Sequence, residues 1–68
     1  MEILDARGLS CPEPVVRLQQ AMRSGADIYE MLVDNVAAKE NATRFAQHQG
    51  YRVAVTEQGG EYRLTMTK

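Results

Sequence analysis

The apolar residues of this chain recur at two spacings, three to four and two, and the alternation between them predicts six elements. Glu2 to Asp5 reads as a short first strand ended by a glycine-containing loop. From Pro12 to about Ser24, Val15, Leu18 and Met22 fall at helical spacing, Arg17, Gln20 and Arg23 take other faces, and Gly25 stops the helix. Ile28 to Val33 is a compact, mostly apolar run and reads as an interior strand. Asp34 and Asn35 offer caps for a second helix that reaches about Gln49, with Ala38, Ala42, Phe45 and Ala46 as its buried stripe and Gly50 closing it. Tyr51, Val53 and Val55 then alternate with Arg52, Ala54 and Thr56, and Tyr62, Leu64 and Met66 with Arg63, Thr65 and Thr67. Gln58-Gly59-Gly60 joins these last two strands as a hairpin.

The order βαβαββ defines an α+β fold. Right-handed crossovers place both helices on one face of a four-stranded mixed sheet, which gives a two-layer α/β sandwich. The opposite face is left to water, which suits Glu30 and the Arg and Thr residues of the hairpin, while Ile28 and Leu32 share that side as apolar surface. No repeat, linker or low-complexity segment interrupts the pattern, so residues 1–68 read as one domain.

Composition narrows the function classes. With 44% hydrophobic and 25% charged residues the chain is of ordinary globular type, and at 68 residues it buries only about 60% of its unfolded surface. A net charge of -1 argues against direct nucleic-acid binding. No basic leader with an apolar run occurs, nor a stretch of the roughly 20 apolar residues that span a bilayer, so no membrane association is expected. One cysteine cannot form an internal disulfide, which points to a reducing compartment and a cytoplasmic location.

That cysteine, Cys11, carries the candidate chemistry, in the run Arg7-Gly8-Leu9-Ser10-Cys11-Pro12-Glu13-Pro14. Pro12 biases Cys11 toward the extended conformation of an N-cap and itself suits the first helical position; Pro14 falls where a missing N–H removes no helix bond. The thiol then faces the positive end of the helix dipole, and Arg7 is placed either to pair with Asp5 or to add positive charge near the sulfur. Glu13 opposes the effect, so a modestly lowered thiol pKa is expected. Glu13 also precedes Pro14, a locally disfavoured helical position of the kind functional sites tolerate. His48, the sole histidine, reads as a dipole-favoured residue of a last helical turn rather than a catalytic partner. One Cys and one His cannot build a zinc site, and Gly59-Gly60 lacks the context of a phosphate loop; neither metal nor cofactor is expected. Asp34 to Asn41 reads as capping plus solvation.

The run Asp5-x-Arg7-Gly8-Leu9-x-Cys11-Pro12-x-Pro14, followed by Ala21-Met22, Leu32-Val33-Asp34, Phe45-Ala46 and Gly50-Tyr51, resembles the signature of the TusA/SirA-like small sulfur-carrier domains. Val33-Asp34-Asn35-x-Ala37-Ala38-x-Glu40-Asn41 is similar to the version in the N-terminal domain of YedF-like proteins associated with selenium metabolism, although Asn35 stands where many members have proline. The resemblance implies that Cys11 accepts a persulfide sulfur from a donor such as a cysteine desulfurase or rhodanese and passes it to an acceptor protein, for tRNA thiolation or other sulfur metabolism. Asp5, Arg7, Gly8, Pro12, Glu13 and Pro14 would shape the site. The lack of a second cysteine suits this role, since the bound sulfur cannot be discharged internally. Two other readings stand beside it: a selenium-handling carrier, and a regulatory module that uses the helix N-terminus without a covalent cycle. The YedF resemblance also leads one to expect a second domain in a longer protein.

Overall fold

In the computed structural model, residues 2–9 and 13–68 are described, Glu2 through its backbone alone. The elements are β1 (Glu2–Asp5), α1 (Glu13–Ala21) with a closing 3₁₀ turn (Met22–Ser24), β2 (Ile28–Val33), α2 (Val36–His48), β3 (Arg52–Gln58) and β4 (Glu61–Thr67). They are the six elements read from the sequence, with the end of the first helix tightened into 3₁₀ geometry. The sheet order is β1-β2-β4-β3. β1 and β2 are parallel, as a strand–helix–strand crossover requires, and β4 lies antiparallel to both β2 and β3.

Register divides the residues between two faces. Leu4, Met31, Leu64 and Val55 stand in one row across the helix-covered side, and Asp5, Leu32, Arg63 and Thr56 in the next row on the open side. Within β2, Tyr29, Met31 and Val33 are buried while Ile28, Glu30 and Leu32 are half-buried. β2 is therefore interior to the sheet but covered on one face only, and its apolar run conceals a period-two pattern.

α2 seats on the sheet through Ala38, Ala42 and Ala46, whose small side chains permit a close approach; Phe45 packs at the flank and stays half-buried. The stripe of α1 is displaced from the expected one. Leu18 and Pro14 are its fully buried residues, with Val15 and Met22 half-buried. Pro14 loses no helix bond in the first turn and stands four residues before Leu18, so its apolar ring serves the core.

Two tyrosines close the lower end of the core. The Tyr29 hydroxyl donates to the Ala21 carbonyl at 3.0 Å, accepts from the Ala26 N–H at 3.0 Å and lies 2.9 Å from Ser24 Oγ. The Tyr51 hydroxyl donates to the Ala26 carbonyl at 2.7 Å, and the two rings meet edge to face at 5.7 Å. Gly59 and Gly60, at φ 61° and 80°, form the hairpin turn in which both central residues need positive φ.

Candidate functional site

Because β1 and β2 are parallel, both end at the same edge of the sheet, and α1 and α2 both begin there. The loop after β1 starts with Ala6, fully buried, whose N–H donates to the Leu32 carbonyl at 2.8 Å and extends the ladder by one residue. Arg7 then folds back on Asp5. Its Nε and Nη2 donate to the two carboxylate oxygens at 2.9 and 2.8 Å, and its backbone N–H donates to Oδ1 at 3.2 Å. Arg7 Nη1 reaches Glu61, at the start of β4, at 3.3 Å. One guanidinium thus ties β1 to β4 across the end of β2. Hydrogen bonding from Arg7 holds the Asp5 carboxyl at a pKa of about 2 instead of the ordinary 3.8, and the two carboxylates raise the Arg7 guanidinium further above its already high value.

Gly8 has φ 79°, and its N–H donates to Asp34 Oδ2 at 2.8 Å. A Cβ at Gly8 would meet no atom within 4 Å, so the backbone angle rather than lack of space calls for glycine. Asp34 Oδ1 accepts from Asn35 Nδ2 at 3.3 Å, and Asn35 Oδ1 accepts from the Ala38 N–H at 2.7 Å. Asn35 is therefore the N-cap of α2, at φ -149°, an angle closed to proline. Asp34 is freed from capping to hold the loop.

Cys11 and Pro12, read from the sequence as N-cap and first helical residue, lie outside the described residues, as does Ser10. Their described neighbours are anchored on both sides. Leu9 packs half-buried against the core, Glu13 opens α1 exposed, and Pro14 is buried. A hollow of about 270 Å³ on the open face, lined by Leu32, Thr56, Gln58, Glu61, Tyr62 and Arg63, adjoins the clamp through Glu61. His48 stands in the last turn of α2, at the opposite end of the sheet from this loop.

Of the expected site residues, Asp5 and Arg7 are brought into direct contact, and Gly8 is held beside them. Of the two roles open to Arg7, pairing is the one its donors take; with two carboxylates against it, its charge is offset locally. The sequence reading missed Glu61 and gave Asp34 only a capping and solvation role. The partner of Glu61 lies 54 positions away, and no local pattern announces it. For Asp34, the adjacent Asn35 was the available signal, since one cap suffices for one helix.

The described residues form a small βαβαββ sandwich in which the loop after β1 leaves the sheet at the end where both helices begin. The chain belongs to the TusA family: residues 2–68 match the family described as Sulfurtransferase TusA. It is 32% identical to a candidate sulfur carrier protein of Methanocaldococcus jannaschii, over all of this chain and 95% of that protein. It is 35% identical to the candidate sulfur carrier protein YrkI of Bacillus subtilis over 74% of this chain and 69% of that one. The crystal structure of a SirA-like protein from Desulfitobacterium hafniense superposes with a TM-score of 0.91 at 30% identity, covering 98% of this chain and 96% of that one.

Proposed function

We propose that this protein is a sulfur carrier whose Cys11 cycles between thiol and persulfide. The observation that carries the reading is that the only cysteine of the chain lies in the family's motif, between Leu9, which packs on the core, and Glu13, which opens α1 at the sheet end where both helices begin. In loading, the Cys11 thiolate attacks the terminal sulfur of a donor persulfide. A new sulfur–sulfur bond forms on Cys11, the donor's sulfur–sulfur bond breaks, and the donor leaves as a thiolate while the terminal proton stays with the transferred sulfur. An acceptor thiolate repeats the exchange and regenerates the Cys11 thiolate. No oxidant or reductant is consumed in either direction.

A thiolate at the start of α1 would be favoured by the helix's N-terminal amides and opposed by the Glu13 carboxylate, so a modestly lowered thiol pKa is the expectation that suits the chemistry. A moderately basic thiolate is also the better nucleophile at neutral pH. Asp5, Arg7 and Gly8 hold the strand side of the loop, Glu13 and Pro14 open the helix side, and the motif assigns Pro12 a shaping role between them. The partners are a donor protein such as a cysteine desulfurase or rhodanese and a downstream acceptor protein, met in the reducing cytoplasm.

Incubation with a cysteine desulfurase and cysteine, followed by intact-mass measurement, should show a gain of one sulfur that a reductant removes. Cys11→Ala should show none. If the wild-type protein gains no sulfur from desulfurase, rhodanese or a small persulfide, the reading fails.

A further inference from the structure

The sheet order leaves β3 with one neighbour, and the carrier reading makes no use of its outer edge. β3 and β4 pair without a break in register over Arg52–Gln58, so this edge carries neither bulge nor proline, two of the devices that usually protect a free strand. The direction of its backbone groups follows from the ladder. The Lys68 N–H donates to the Asp27 carbonyl at 2.9 Å, continuing the β2–β4 register, so Tyr62, Leu64 and Met66 bond toward β2 and Glu61, Arg63, Thr65 and Thr67 toward β3. Their partners Gln58, Thr56, Ala54 and Arg52 point inward. The N–H and C=O groups of Val53, Val55 and Glu57 therefore face outward. Val55, at the centre, is 42% exposed. Above it α2 leaves an open hollow of about 470 Å³ lined by Lys39, Glu40, Thr43, Arg44 and Gln47, in which the buried Thr43 Oγ1 has no hydrogen-bond partner.

We infer that β3 is a seam for a second copy of this chain, the two strands pairing antiparallel about a two-fold axis through Val55. The outward residues are spaced symmetrically about that position. Val55 meets the partner's Val55, and Val53 meets the partner's Glu57 and the reverse, and each pair exchanges both of its backbone hydrogen bonds. Opposed residues share a face, so this register keeps the helices of both copies on one side of a continuous sheet. It also brings each Glu57 carboxylate to the helix side of the other copy, beside the hollow lined by Lys39 and Arg44 with Glu40, whose net positive charge complements it. A single-strand seam is narrow, so the dimer is of the weak, reversible class. β1 is the opposite edge of the sheet, so it stays at the outer end of each copy in the dimer.

Sedimentation velocity on the whole chain, with a reductant so that no Cys11 disulfide is counted, should show concentration-dependent dimerisation in the micromolar to millimolar range. Over the same range, the amide N–H signals of Val53, Val55 and Glu57 should shift and gain exchange protection, while those of Ala54 and Thr56, already bonded to β4, should not. Val55→Lys places like charges opposite each other at the axis and should weaken association at least about tenfold. Val55 is already exposed, so the variant should keep the wild-type circular dichroism and sulfur loading. A monomer at every concentration, or a dimer whose shifting amides lie outside β3, overturns the inference; a monomer leaves the edge to a strand from another protein.

Discussion

At the scale of the residue, the Arg7 clamp is held by exposed groups, with side-chain exposure of 41% for Arg7 and 55% for Asp5. Such pairs contribute little to global stability, but the planar fork fixes direction as well as distance. Arg7→Lys should therefore leave the thermal midpoint nearly unchanged and slow sulfur loading of Cys11, because an ammonium cannot hold Asp5 in two places and reach Glu61 as well. Mass spectrometry of the time course, set beside a melting curve, separates the two effects. The Asp5 carboxyl titrates lower in the folded chain than in the unfolded one, so its contribution is present above about 3.8 and is lost as pH falls toward about 2. NMR titration of that carboxyl should show the low value, and Arg7→Gln should return it to the ordinary range. Asp5 and Arg7 could be paired from sequence because they stand two positions apart. Glu61 could not, since its approach depends on the order of strands in the sheet.

At the scale of the element, two substitutions test how the site end is held. Asn35→Ala removes the N-cap of α2 and should cost about 1 kcal/mol in denaturant unfolding. It also removes a donor to Asp34, so amide exchange at Gly8 should quicken. Tyr29→Phe takes away the acceptor of the Ala26 N–H and should cost about 1–3 kcal/mol. Element order and type were legible because each run keeps one spacing and ends at a turn residue. Which residues face the core was less so. Pro14 was read for its backbone alone, and its ring turned out to belong to the apolar stripe. In β2, by contrast, the single charged residue, Glu30, was enough to set Ile28, Glu30 and Leu32 on the open face, as the structure has them.

At the scale of the whole molecule, stability rests on one thin core without disulfides among the described residues, and Leu18 is the largest fully buried side chain that a helix contributes to it. Leu18→Ala should cost about 2–5 kcal/mol, enough to leave a domain of this size substantially unfolded near its working temperature. The sandwich and its mixed sheet followed from the six-element order; that parallel strands joined by helices also put both helix starts at one end of the sheet was not drawn from it. What the order could not reveal is how that edge is fastened. The Gly8–Asp34 and Arg7–Glu61 contacts join parts of the chain that meet only once the sheet is complete.

The paired rings of Tyr29 and Tyr51 set an alkaline limit for the fold. Burial, with Tyr29 and Asp27 nearby, pushes the Tyr51 hydroxyl above its ordinary 10.0. Its contribution is therefore intact below that value and drains away as pH rises toward the folded one, where a phenolate would have to form inside the core. In a chain with no tryptophan, the phenolate absorbance band reports this directly. Strong base should reveal a late-ionising tyrosine whose appearance coincides with loss of the near-ultraviolet dichroism, so the chromophore that registers collapse is the same group whose ionisation provokes it.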